Sequence, residues 1–202
     1  MNLFSFSYVG SLLFLALAVL GTTTMIVDGS NGTNQAWADV IEGTEGPDEI
    51  VGTPEDDIID SKGGRDENHG DTTIGDGSGN DVINSGEGTD FNSGDSFEGG
   101  TGSGNDVINS GEGDDENLGD TFIGDGSGDD IIVSGEGSDS NFGDTFEGQG
   151  SGDDIIVSGE EDDTNTGNGG RDIFVCGDGE DDTVTDYNEA EGDIAAADCE
   201  NI

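Results

Sequence analysis

An aliphatic pair flanked by carboxylates recurs along this chain at nearly constant spacing, and that recurrence limits the possible folds more than any other feature. The runs are "DDIIDS" at 56–61, "NDVINS" at 80–85 and 105–110, and "DDIIVS" at 129–134 and 153–158. The Asp before each pair falls at Asp57, Asp81, Asp106, Asp130 and Asp154, so the steps are 24, 25, 24 and 24 residues. A fixed period of this size marks a solenoid, where each repeat is a coil that buries its apolar face only against its neighbours.

Each repeat has a finer order. Nine residues after each of those aspartates stands another: Asp66, Asp90, Asp115, Asp139 and Asp163. Two further on comes Asn68, Asn92, Asn117, Asn141 or Asn165, and three beyond that Asp71, Asp95, Asp120, Asp144 or Asn168. Thr73, Phe97, Phe122 and Phe146 follow. Ile, Val and Phe favour strands, and the Gly-Asp segments between them are too turn-rich for helix. The expected rung therefore has three short strands and three turns, stacked as a parallel sheet. Stacking in register puts Ile59, Ile83, Ile108, Ile132 and Ile156 in one core column and Phe97, Phe122 and Phe146 in another. The asparagines are expected to form a ladder in a tight turn, where Asn accepts left-handed geometry.

The charge is one-sided. Asp and Glu number 49 against three bases, Lys62, Arg65 and Arg171, for a net charge of -46. Nucleic acid and anionic membrane surfaces are excluded as partners by repulsion, and the natural partners are cations. With 39 glycines and 29% hydrophobic residues, the composition alone suits a disordered chain. Disorder, however, gives no reason for Ile, Asn and Phe to stay in phase over a hundred residues. A thin aliphatic column does not offset the ordering of so many Gly-rich residues in a self-repelling chain, so bound ions must stabilise the fold.

The motifs resemble the RTX, or haemolysin-type, calcium-binding repeats, whose unit is G-G-x-G-x-D-x-U-x with U apolar. "DGSGDDIIV" at 125–133 sets Gly128, Asp130 and Ile132 on the unit, and "SGEGSDSNF" at 134–142 sets Gly135, Gly137 and Asp139. "NSGEGDDEN" supplies Gly111, Gly113 and Asp115, and "GNGGRDIFV" supplies Gly167, Gly170, Asp172 and Phe174. The resemblance spans residues 42–202 and implies an all-β parallel β-solenoid with Gly/Asp-rich turns that bind several Ca²⁺ ions. It implies as ligands Asp57, Asp66, Asp81, Asp90, Asp106, Asp115, Asp130, Asp139, Asp154, Asp163, Asp172 and Asp182. The chemistry agrees: Ca²⁺ takes six to eight oxygens in irregular cages, and soft metals lack ligands here. The sequence departs from the family's even nine-residue beat, which makes eighteen-residue coils; the central beat is nine, five, ten. Position U is Asn in every second unit. A 24-residue rung is favoured over an eighteen-residue one, and segments such as "DSNFGD" are too short for a complete calcium loop. Glu116, Glu161 and Glu189 fall out of phase and are expected to be solvated.

Three divisions are expected: residues 1–38, repeats over 39–170, and a terminal repeat and cap over 171–202. Residues 8–27 are apolar and uncharged, and "AWAD" at 36–39 offers cleavage after Ala38, so the first segment is a signal peptide or a retained anchor. Either reading exports the acidic part to the cell surface or medium. In that compartment Cys176 and Cys199 are expected to form a disulfide worth about 3 kcal/mol, closing a cap lined by Ile194, Ala195, Ala196, Ala197 and Ile202. The function expected is a secreted calcium-binding structural or adhesion module. An enzyme finds little room: the lone His69 reads as a solvated turn residue, and no carboxylate pair is singled out as acid and base. The alternatives are a disordered acidic calcium buffer and a mineral-interacting surface.

Overall fold

The computed structural model describes residues 40–202, and the signal or anchor segment lies outside them. The described chain is all-β and winds into a parallel β-solenoid. One sheet runs its whole length through strands Val40–Glu42, Ile58–Asp60, Val82–Gly88, Val107–Glu112, Ile131–Glu136, Ile155–Glu160, Ile173–Asp178 and Ile194–Ala195, side by side in chain order. A facing sheet holds Glu49–Val51, Glu67–His69, Phe91–Ser93, Glu116–Leu118, Ser140–Phe142, Thr164–Thr166 and Thr183–Val184. The third side of the rung is thinner than expected. It has only Glu98–Thr101 paired with Ile123–Asp125, extended by single bridges Ile74↔Glu98 and Ile123↔Glu147.

The register keeps the sequence phase. Ile59, Ile83, Ile108, Ile132 and Ile156 pair in line, with Phe174 next, and all are fully buried. Alternation along each strand turns Ile132 and Ser134 inward and Ile131 and Val133 partly outward. The middle rungs repeat at 24 or 25 residues, but the end coils are shorter: Val40 pairs with Ile58, and Ile155 with Ile173, at eighteen. The difference lies between the facing sheet and the long sheet. Gly52 to Asp57 and Gly167 to Asp172 each take five residues, whereas Gly70 to Asp81, Gly119 to Asp130 and Gly143 to Asp154 take eleven. Gly94 to Asp106 takes twelve. The extra residue is absorbed on the thin side, where Gly99 and Gly100 both have positive φ and the register shifts.

Three expectations about facing are corrected. The asparagines form a ladder, but in the strands of the facing sheet and pointing inward, not in a turn. Asn117 Nδ2 donates to Asn141 Oδ1 at 3.0 Å and to Ser110 Oγ at 2.9 Å, while its Oδ1 accepts from Asn92 at 2.9 Å. An amide fits the core here because its donors and acceptor find partners along the solenoid axis and on the serine column. Ile50 and Val184 hold the same register position at the two ends, opposite Asn68 and Asn165. Phe97, Phe122 and Phe146 do stack, with centroids 5.0 Å apart, but outside the isoleucine core, and Phe146 is exposed. They lie against the outer column of the facing sheet, where His69 meets Phe97 at 5.8 Å and Phe142 meets Phe146 at 5.1 Å. His69 is accordingly fully buried rather than solvated, and burial lowers its pKa.

At the C-terminal end Cys176 and Cys199 are joined in a disulfide. Cys176 continues the inward serine column, and Tyr187 and Ala195 pack against the buried core. Ile194 and Ile202, expected to line the cap, are exposed.

Candidate metal centre

Two carboxylate ladders flank the core. Asp57, Asp81, Asp106, Asp130, Asp154, Asp172 and Asp193 each stand just before a strand of the long sheet, and all are buried. Asp66, Asp90, Asp115, Asp139, Asp163 and Asp182 do the same before the facing sheet. Every expected ligand thus falls on one of the two ladders.

The local geometry repeats. The backbone N–H of one aspartate donates to Oδ1 of the aspartate one rung later: Asp81 to Asp106 at 2.7 Å, Asp106 to Asp130 at 2.7 Å, Asp130 to Asp154 at 2.8 Å. On the other ladder Asp90 donates to Asp115 at 2.8 Å and Asp115 to Asp139 at 2.9 Å. That bond fixes one oxygen of each carboxylate. The second oxygen of Asp66, Asp81, Asp90, Asp106, Asp115, Asp130, Asp139, Asp154, Asp163 and Asp182 is buried without a hydrogen-bond partner. An orphaned buried carboxylate oxygen is costly. A row of them, with rungs about 4.8 Å apart, has the added cost of mutual repulsion.

The titration behaviour follows. Burial pushes Asp81 up to about 8 and Asp154 up to about 9, and holds Asp106 and Asp130 well above the carboxylate range. Asp139, Asp163 and Asp172 rise to about 7, again chiefly through burial. Among the described residues no salt bridge reaches these ladders: Arg171 pairs with the exposed Asp153, and Lys62 with Glu42. Oriented, dehydrated carboxylate oxygens without bases fit a hard dication that accepts irregular oxygen cages, which is Ca²⁺.

The turns also explain their glycines. A Cβ at Gly119 would overlap the Gly143 carbonyl oxygen and the Asp130 carboxylate, and Gly94 and Gly70 stand likewise against Asp106 and Asp81. Among the out-of-phase acids, Glu161 and Glu189 are exposed as expected. Glu116 is half-buried, and burial raises its pKa. The sequence reading did not place Asp71, Asp95, Asp120 and Asp144 among the ligands, yet all four are buried. Their constant offset from the Asn column was the available signal.

Comparison with known proteins agrees with this geometry. The family model described as RTX calcium-binding nonapeptide repeat (4 copies) matches residues 38–67, 70–98, 92–116 and 149–183, together more than half of the chain. No curated protein matches it. Residues 117–148, between the matched segments, carry Asp130 and Asp139 on the same two ladders. Repeats of this family bind Ca²⁺, and the chain belongs to the RTX calcium-binding nonapeptide repeat family.

Proposed function

We propose that this calcium-binding repeat protein is an exported structural module, a spacer or adhesion element whose solenoid is assembled on Ca²⁺. The ligands are Asp57, Asp66, Asp81, Asp90, Asp106, Asp115, Asp130, Asp139, Asp154, Asp163, Asp172 and Asp182. One observation carries the reading: orphaned carboxylate oxygens recur at the same two positions in rung after rung. Such repetition serves a shape held along its whole length rather than one reacting centre. The reading has three divisions: a removed or anchoring segment over 1–38, the repeats over 39–170, and a cap over 171–202. It assigns the protein no catalytic role.

A paired substitution tests the ligand set. Asp130→Asn keeps the size of a ladder residue while removing its charge. It is expected to weaken Ca²⁺-induced folding by about tenfold or more, on the scale of one lost charged contact of about 1.5–3 kcal/mol. Glu189→Gln, at an exposed position, is expected to leave the Ca²⁺ titration unchanged. Equal effects from the two would favour a diffuse polyanion instead.

Export is tested on the full-length chain produced in a secreting host. The protein is expected outside the cytoplasm, either beginning at Asp39 by intact mass or held on the membrane with its first segment retained. Finding it solely in the cytoplasm, at full mass, contradicts the exported reading.

A further inference from the structure

The residues that lengthen the middle coils bring a third carboxylate column with them. Asp71, Asp95, Asp120 and Asp144 follow the facing-sheet strands, one glycine after each strand end, and they stand outside the G-x-G-x-D turns. The eighteen-residue first coil has Thr53 at this place, and the last rung has Asn168.

These side chains are oriented by the turn that follows them. Asp95 Oδ2 accepts from Gly104 N–H at 3.4 Å, Asp120 Oδ2 from Gly128 N–H at 3.2 Å and Asp144 Oδ1 from Gly152 N–H at 3.0 Å. The other oxygen of each is buried and has no hydrogen-bond partner. Asp106 completes the group: Oδ1 is held by Asp81 N–H at 2.7 Å and Oδ2 is orphaned. Asp95, Asp106 and Asp120 each offer an oxygen within 4.8 Å of the other two, and none of the three is more than 1% exposed.

We infer that Asp95, Asp106 and Asp120 form an additional Ca²⁺ site inside the lengthened turn, with two ligands that the nonapeptide unit does not supply. The same sequence positions recur as Asp71–Asp81–Asp95 and Asp120–Asp130–Asp144, but among the described residues the three oxygens converge within 4.8 Å only at Asp95, Asp106 and Asp120. Ca²⁺ suits it better than Mg²⁺. Mg²⁺ demands near-octahedral geometry and keeps several waters that a buried site does not accommodate, whereas Ca²⁺ accepts an irregular cage of carboxylate oxygens. The lengthened coil thereby takes up more ions than an eighteen-residue coil, its longer turn holding the Asp95 and Asp120 carboxylates through Gly104 and Gly128 N–H.

The inference rests on the calcium-assembled reading, and counting bound ions separates the two. Full-length chains are dialysed to saturation in Ca²⁺ and the bound metal is measured per chain. Asp95→Asn/Asp120→Asn is expected to lose at least one ion while keeping its β circular dichroism in saturating Ca²⁺. Asp115→Asn/Asp139→Asn, on the opposite ladder, reports the nonapeptide sites. An undiminished count in the first variant, with ions lost from the second, overturns this inference alone; a wild-type chain that takes up no Ca²⁺ overturns both readings. If the first variant does not fold, Asn168→Asp decides. Asn168 has φ 67°, which Asp tolerates, and its Oδ1 already accepts from Thr145 N–H at 3.0 Å. The added carboxylate extends the column beside Asp144 and Asp154 and is expected to bind one further ion; no gain overturns the inference.

Discussion

In excess chelator near neutral pH, the chain is expected to lose its β circular dichroism and expand, and millimolar Ca²⁺ is expected to restore both. The core explains the size of the effect. It is one isoleucine wide on one sheet, faced by asparagine, so little apolar area is buried per rung. Against it stand the ladder carboxylates, ten of which, among the described residues, are buried with one oxygen unpaired. Every site filled at a hundredfold excess over its Kd stabilises the fold by about 2.7 kcal/mol, and the sites add along the array. Mg²⁺ is expected to substitute poorly because it holds its water. Circular dichroism and small-angle scattering, each with and without Ca²⁺, measure the change. A compact, β-rich chain in chelator contradicts the expectation.

Acid is expected to replace calcium in part. Without ions, burial lifts Asp81 to about 8, Asp154 to about 9, and Asp139, Asp163 and Asp172 to about 7, from an ordinary value of 3.8. The ion-free fold therefore holds protons that the unfolded chain releases. Folded values above unfolded ones give a contribution that is complete below about pH 4 and lost as pH rises through about 7 to 9. In chelator, lowering the pH from 8 to 4 is expected to bring back β structure. With Ca²⁺ present the sign reverses, since each ion must displace protons from the ion-free fold, and its apparent affinity is expected to fall as the pH drops through about 9 to 7. A coil that persists in chelator down to pH 4 rules out this account.

What the sequence made legible was phase, and what it left open was direction. Aligning on the aliphatic pair identifies Ile59 to Ile156 as one column, because residues a full coil apart must stack. The same alignment does not say which way a residue faces. Asn tolerates tight turns, so the ladder from Asn68 to Asn165 was read as a turn. The nonapeptide frame already put Asn at the apolar position, and in the structure Asn takes that inward place. Phe97, Phe122 and Phe146 were assigned to the core because phenylalanine is apolar, but each sits past the facing sheet on the thin side. His69 belongs to the column of Ser93, Leu118 and Phe142, and its burial depends on those outer rings, which single-residue reasoning does not place. The added residues of the middle coils were visible as a count. Their carboxylate column went unrecognised because the segment is too short for a calcium loop by itself and acquires partners only from the next rung.

The ladder bonds all point the same way. Each aspartate N–H reaches forward to the carboxylate of the following rung, and the amides from Asn68 to Asn141 do the same. The solenoid is therefore a vectorial object with two unlike ends. Along these side-chain ladders acceptors face the N-terminal side and donors the C-terminal side, while the backbone bonds between rungs run both ways. Only head-to-tail contact could continue the pattern. At the C-terminal end the run closes on residues that are no longer repeats: Asp172 N–H is taken by Asp193, Asp182 N–H by Glu200, and the Cys176–Cys199 bond ties the segment carrying them to the last full strand. On the C-terminal side of the described solenoid the last donors of both carboxylate ladders are therefore already paired within the chain.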